Sequence, residues 1–223
     1  MTKTKIFLDG VSPDNIKDFD VDGYTTNPSL MKELGVTNYM EYAKKLIKLS
    51  NGKPISFEVL SRDKIEEETK ILSSLGSNVY VKIPIDGYKN VEVIQNLNKQ
   101  GFKINATAVF TIEQVNALLC DISYTPIIIS MFAGRISDTG EDACVFIESA
   151  IRHTKDFPNV EILWASTREV LNIYEAFGLG CSIITVIPSI LRKYHSLKNK
   201  DLIEYSIETA EQFYKDGENL IIG

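Results

Sequence analysis

Lys82 stands inside an apolar run, Val79-Tyr-Val-Lys-Ile-Pro-Ile85. An ammonium group is costly to bury in such surroundings. A lysine in this position can snorkel to solvent, sit on an edge strand or complete a structural ion pair, because buried charges are usually paired. It can also present a free amine that attacks a carbonyl. Glu58, one apolar run earlier in Ile55-Ser-Phe-Glu-Val59, favours the second reading. A carboxylate there can move protons while a carbinolamine forms and dehydrates, directly or through water. It can equally be the counter-ion of Lys82, and the two roles are compatible.

Further polar residues fall late in other short, β-branched runs. Asp9 ends one, Thr26 and Asn27 another; Ser56 lies with Glu58, Asn105 with Thr107, and Ser130 two places before Phe132. Side chains alternate along a strand, so Ser56 with Glu58, Asn105 with Thr107, and Ser130 with Phe132 each share a face. Polar groups spaced two apart and flanked by Val, Ile and Phe are poorly explained by solvent exposure. Ser12-Pro13 is a better helix start than Asp9, since Ser is a good N-cap and Pro suits the next position, which leaves Asp9 for chemistry. Asn27-Pro28 reads as a turn signal, so Asn27 can be a strand terminator and nothing more. Arg135 and Arg168 follow two successive strands, with Ser166 close to the second. Each arginine alone reads as a surface residue. Together they suit a phosphate monoester, whose oxygens match guanidinium forks.

The elements that must position these residues repeat one pattern. Strands are predicted at 5–9, 24–26, 55–60, 79–85, 103–110, 126–132, 161–166 and 182–186, separated by helix-periodic stretches. Residues 30–49 carry a broad apolar stripe and read as one helix; 63–75 opens on an acidic first turn, which suits a helix N-terminus. Gly76 and Gly101 stand where helices should stop. Thr111, with Gln114 three residues on, reads as a capping box. Parallel strands need crossovers, and eight is the number that closes a (β/α)8 TIM barrel. An open doubly wound sheet is the alternative. Active sites of such barrels gather at the C-terminal ends of the strands, where the polar residues above fall. The 223 residues fit one barrel domain spanning 1–223, with residues 201–214 an extra C-terminal helix whose apolar face should pack on the barrel or on a neighbouring subunit.

Composition excludes several classes. The formal net charge is -6 and no basic tract offsets it, which argues against a general nucleic-acid role. Cys120, Cys144 and Cys181 are odd in number, widely spaced and form no CxxC, as expected of free thiols in a reducing cytoplasm. The two histidines, His153 and His195, build no metal-ligand spacing with them. The first apolar run is shorter than the roughly 7–15 residues of a signal-peptide core, and no stretch approaches the ~18 apolar residues of a membrane span. There is no P-loop, GxGxxG or HExxH.

These residues resemble the transaldolase family, in particular its short single-barrel branch that includes fructose-6-phosphate aldolase. Matching segments are Phe7-Leu-Asp9, Thr25-Thr-Asn-Pro-Ser-Leu30, Phe57-Glu-Val59, Val81-Lys-Ile-Pro84, Ile104-Asn-Ala-Thr-Ala-Val109, Ile129-Ser-Met-Phe-Ala-Gly-Arg-Ile136 and Ala165-Ser-Thr-Arg168. The resemblance implies that Lys82 is the Schiff-base lysine and Asp9 the acid/base at the donor's C4 hydroxyl. It implies that Glu58 and Thr107 hold a catalytic water, that Asn27, Asn105 and Ser130 bind a dihydroxyacetone unit, and that Arg135, Ser166 and Arg168 bind phosphate. It implies no metal and no organic cofactor. It also implies sugar-phosphate substrates, a place in the pentose phosphate pathway and a ring-shaped homo-oligomer, often a decamer, without nucleic-acid or membrane partners.

Within the resemblance, Glu58 and Phe132 stand where fructose-6-phosphate aldolases usually have Gln and Tyr. This favours transfer of dihydroxyacetone from fructose 6-phosphate to erythrose 4-phosphate over its release, with the aldolase and a non-catalytic sugar-phosphate-binding barrel as the alternatives. Gly10-Val11, Met131, Ala133 and Thr167 depart from the family's usual residues and would alter the pocket walls.

Overall fold

The computed structural model describes residues 3–220. Eight parallel strands close into a barrel in sequence order: β1 (Lys5–Asp9), β2 (Gly23–Thr25), β3 (Ile55–Glu58), β4 (Val79–Pro84), β5 (Ile104–Val109), β6 (Ile127–Met131), β7 (Val160–Trp164) and β8 (Ile183–Val186), with β8 returning to β1. The TIM barrel read from the sequence is therefore the observed architecture. The helices are α1 (Pro28–Glu33), α2 (Tyr39–Leu49), α3 (Ile65–Ser73), α4 (Val91–Lys99), α5 (Ile112–Leu119), α6 (Ala133–Ser137), α7 (Ala143–His153), α8 (Leu171–Leu179), α9 (Pro188–Leu197) and α10 (Leu202–Gly217).

Alternation along the strands builds two apolar layers. Outward residues such as Leu8, Val81, Ile83, Ile104, Ile129 and Ile184 pack against Leu46, Leu72, Ile94, Leu118, Ile147 and Ile173 of the helices. Inward residues Phe7, Ile128, Leu163, Ala165 and Ile183 form a second cluster joined by Tyr80 and Phe132. Gly23 lies opposite Phe7 in register, and a Cβ there would stand 2.6 Å from the Phe7 ring. Glycine at this position gives the ring its place in the lumen. Two residues beyond the floor residues Phe7, Tyr80, Ile128 and Ile183 come Asp9, Lys82, Ser130 and Thr185. The period of two thus sets a polar layer directly above an apolar floor.

Three helical expectations need correction. Residues 30–49 form two helices, not one. Gly35, at φ +69°, ends the first after Leu34, and the Asn38 side chain caps the second by accepting from the Glu41 amide at 3.1 Å. Ser12-Pro13 starts no helix: residues 13–17 form a turn, and Asn15 Oδ1 accepts from the Ser12 amide at 2.9 Å. The β1–β2 connection therefore crosses over without a helix, burying Val11, Ile16 and Val21 in its place. The acidic segment opens with a 3-10 turn at Arg62–Lys64, and α3 begins only at Ile65.

The capping box at Thr111 and Gln114 is present. Helix α10 is capped by Asp201 and runs to Gly217, three residues past the expected end. It has no buried residue; Leu202, Ile203 and Phe213 are 79%, 72% and 70% exposed. Among the described residues no helix is long and apolar enough to cross a membrane. Among the same residues no cluster of His, Cys, Asp or Glu could hold a metal ion. Cys120, Cys144 and Cys181 are free thiols.

Candidate active site at the barrel mouth

Lys82 and Glu58 face each other across the β3–β4 ladder. Lys82 Nζ lies 3.1 Å from Glu58 Oε2 and donates to the Thr26 carbonyl oxygen at 3.1 Å. Lys82 is only 6% exposed. It neither snorkels to solvent nor sits on an edge, since a closed barrel has none. The end of β3 is pinned from outside: the Tyr39 hydroxyl donates to the Glu58 carbonyl at 2.8 Å and its ring packs edge-on to Phe57. Burial, reinforced by the Glu58 charge, pushes the Tyr39 phenol well above its ordinary pKa, so it remains a donor.

Asn105 pairs in register with Lys82 on the next strand. Its Nδ2 donates to Ser56 Oγ at 3.0 Å, and Ser130 Oγ donates to its Oδ1 at 2.7 Å. A chain of three buried polar side chains thus crosses β3, β5 and β6. It fixes the Asn105 amide, and because Ser130's single proton goes to Asn105, Ser130 faces the lumen as an acceptor. Thr107, 1% exposed, has a hydroxyl with no protein partner among the described residues. The β5–β6 register shifts between Ala106 and Val109, and Ala108 adopts φ +56°. Such a bulge re-aims the side chains beside it.

Asp9 closes the other side of the mouth. Thr25 Oγ1 donates to Asp9 Oδ1 at 2.8 Å and also meets Thr185 Oγ1 at 2.5 Å. Burial raises the Asp9 carboxyl above its ordinary pKa; the charge of Lys82, the Thr25 hydrogen bond and the Gly10 amide hold the rise back. Asn27 caps α1, its Oδ1 accepting from the Leu30 amide at 2.9 Å. The sequence read Asn27 as at least a strand terminator; it also caps the helix that follows, and its side-chain NH2 remains a donor.

Phe132 joins the lumen cluster, lies 5.7 Å from Phe110 between ring centroids, and carries the Arg135 guanidinium 5.2 Å above its ring. Arg135 and Arg168 are both exposed. A Cβ on Gly134 would lie 1.8 Å from the Ser166 carbonyl oxygen and 2.9 Å from Arg168 Cγ. The loop after β7 therefore rests directly on the start of α6, one residue before Arg135. Ser166 itself sits in the left-handed region at φ +63°. Arg168 Nη2 pairs with Asp138 Oδ2 at 2.5 Å, an exposed contact. Such pairs contribute at most about 1 kcal/mol, so an anion can displace it.

The mouth brings together Asp9, Glu58, Lys82, Asn105, Thr107 and Ser130, with Asn27 at its edge; Arg135 lies over Phe132, while Ser166 and Arg168 lie on the loop after β7 against Gly134, with Arg168 turned to Asp138. Sequence reading missed Thr25, Thr185, Tyr39, Gly134 and Asp138. The Thr25 and Thr185 hydroxyls were legible as polar residues late in their strands; the other three act through contacts that no local spacing records. Two open surface clefts of about 590 and 730 Å³ lie away from the mouth, one beside Tyr24, Lys48 and Lys53, the other along α3.

A closed α/β barrel with charged and amide side chains converging at the C-terminal strand ends has the layout of a barrel enzyme. Residues 6–221 match the family described as Transaldolase/Fructose-6-phosphate aldolase. A probable transaldolase of Nitrosopumilus maritimus is 36% identical, with 97% of this chain and 96% of that protein covered. One of Methanococcus maripaludis is 34% identical over 92% of this chain and 94% of the other, and probable transaldolase 2 of Listeria monocytogenes is 33% identical over 96% of each. Among solved structures, 3-dehydroquinate dehydratase from Geobacillus kaustophilus shares the barrel at TM-score 0.56 and 8% identity, each chain covered to 83%. The chain belongs to the transaldolase/fructose-6-phosphate aldolase family.

Proposed function

We propose that this protein is a transaldolase, moving a dihydroxyacetone unit from a ketose phosphate such as fructose 6-phosphate to an aldose phosphate such as erythrose 4-phosphate. The observation that carries the reading is the enclosed Lys82–Glu58 pair, a nucleophile with a proton-transfer group in contact. The Lys82 amine adds to the donor's C2 carbonyl, and loss of water gives a protonated imine. Asp9 takes the C4 hydroxyl proton as the C3–C4 bond breaks, and the electron pair of that bond flows into the imine to give an enamine. Glyceraldehyde 3-phosphate leaves. The enamine then attacks the acceptor aldehyde, Asp9 returns its proton, and water releases the product ketose. The orphaned Thr107 hydroxyl and the Glu58 carboxylate are suited to hold the water that shuttles protons at the imine.

In the same reading Asn27, Asn105 and Ser130 bind the three-carbon unit, Arg135, Ser166 and Arg168 take the phosphate, and the reaction runs without metal or organic cofactor. Phe132, which carries no hydroxyl, leaves the enamine without an added proton donor until an acceptor arrives. The exposed apolar face of α10 docks on a neighbouring copy in a ring-shaped homo-oligomer, and the whole chain acts as a single domain in the cytoplasm.

A coupled assay tests the activity. With both sugar phosphates present, glyceraldehyde 3-phosphate and sedoheptulose 7-phosphate form together. With fructose 6-phosphate alone, free dihydroxyacetone stays negligible; its release at the full rate without acceptor would assign the aldolase reaction instead.

A further inference from the structure

Thr25 Oγ1 touches two oxygens at once, Asp9 Oδ1 at 2.8 Å and Thr185 Oγ1 at 2.5 Å. The three residues lie on β2, β1 and β8, adjacent around the barrel: Asp9 is in register with Thr25, and Phe7 with both Gly23 and Thr185. Thr25 is 1% exposed and Thr185 4%, so these hydroxyls are screened from solvent. Thr185 is itself anchored, its carbonyl oxygen accepting from Thr167 Oγ1 at 2.6 Å.

A hydroxyl has one proton to give. When Asp9 is ionised it can only accept, so Thr25 donates to Asp9 and Thr185 must donate to Thr25. When Asp9 carries a proton, the carboxylic acid can donate to Thr25 Oγ1, and Thr25 then turns its own proton to Thr185. The heavy atoms stay in place and only the direction of the chain reverses. We propose that Thr25 and Thr185 form a reversible two-hydroxyl chain that keeps Asp9 hydrogen-bonded, and in one orientation, in both of its protonation states. Thr25 is thus a positioning residue for proton transfer at Asp9, with Thr185 orienting Thr25. This rests on the assignment of Asp9 as the acid/base.

The groups that face Asp9 from other elements are Lys82 of β4, itself paired with Glu58 of β3, and Tyr42 of α2, whose hydroxyl donates to the Val11 carbonyl at 2.5 Å. Of the two groups that hydrogen-bond Asp9, the Gly10 amide can only donate, so Thr25 alone can reverse its bond without a change of charge. Burial raises the Asp9 pKa, and the Lys82 charge, then the Thr25 bond, draw it back.

The test compares Thr25→Val, Thr25→Ser, Thr185→Val and the Thr25→Val/Thr185→Val double variant in the full-length protein. Thr25→Val removes the hydroxyl and keeps the shape. It should lower kcat by roughly 10- to 100-fold with KM little changed, and move the acid limb of the kcat profile to higher pH, since the ionised Asp9 loses a donor. Thr25→Ser should restore both the rate and the limb. Thr185→Val should act in the same direction but more weakly, and the double variant should be no slower than Thr25→Val. Borohydride trapping of the imine with fructose 6-phosphate should be unchanged in all four. An unshifted acid limb in Thr25→Val, a Thr25→Ser variant as slow as Thr25→Val, or additive losses in the double variant would each overturn the chain. If Thr25→Val fails to fold, Thr185→Val still decides, because a full rate with an unshifted limb would overturn it as well. Failure of the wild type to trap would strike the Schiff-base reading and not this one.

Discussion

Glu58 Oε2 lies 3.1 Å from Lys82 Nζ, and the two residues stand opposite each other in the β3–β4 register. Removing one partner of a buried ion pair costs about 3–5 kcal/mol, because the other charge is left uncompensated. A pair of this kind is a poor choice for stability alone, since apolar residues of similar size often serve as well. Its place at the mouth, beside an amide and a hydroxyl that reach the same lumen, suits the imine chemistry proposed for it.

Asp9 provides a test through stability. Its carboxyl holds a proton more tightly in the folded protein than the ordinary 3.8. A folded pKa above the unfolded one adds stability below the unfolded value, and that stability is lost as pH rises through the folded one. Asp9→Asn removes this dependence. The variant should melt higher than the wild type at pH 7, show no such advantage at pH 3, and have severely reduced transfer activity. Equal melting differences at both pH values would show that Asp9 is not strained by burial.

Arg168 is held by an exposed pair with Asp138 that an anion can displace, as the proposed phosphate role requires. Arg168→Ala should remove a charge-assisted interaction worth about 1.5–3 kcal/mol, raising KM for fructose 6-phosphate roughly 10- to 100-fold. Turnover of a non-phosphorylated ketose should be unchanged. Equal losses on both substrates would dissolve the phosphate assignment.

Gly134 leaves no room for a side chain against the Ser166 carbonyl. Gly134→Ala should force the β7–α8 loop away from α6, lowering stability by about 1–3 kcal/mol and raising KM for phosphorylated donors. Thermal melting together with steady-state kinetics checks both. A variant with wild-type melting and KM would show that the loop has another support.

Phe132 packs into the lumen against Phe110 and beneath Arg135. Phe132→Tyr would add a hydroxyl in the lumen cluster. Release of dihydroxyacetone from fructose 6-phosphate without acceptor should rise, on the order of tenfold or more. No rise would undercut the argument that this position divides transfer from release.

The strands were legible because each is a short β-branched run, and the observed bounds fall within one or two residues of those read from the sequence. The polar layer was legible for the same reason: a period of two carries Lys82, Asn105 and Ser130 inward with their apolar neighbours. Local signals failed where two of them competed. The stripe over residues 30–49 masked Gly35 and Asn38, which stop one helix and start the next. Ser12-Pro13 carries a helix-start signal, yet the chain has to run on to β2 and makes only a turn there. Contacts between distant residues left no local trace. Thr25 meets Thr185 across 160 positions, Gly134 meets Ser166, and Asp138 takes Arg168. Thr107, whose hydroxyl has no partner among the described residues, stands beside Ala108 at positive φ, a conformation that residue type does not announce.

The most direct measurement is reduction with borohydride in the presence of fructose 6-phosphate, followed by intact and peptide mass. The wild type should gain the mass of a reduced dihydroxyacetone adduct on the peptide that contains Lys82, and folded Lys82→Ala should gain none. A folded, active wild type that gains no adduct, or a Lys82→Ala variant that still gains one, would contradict the account.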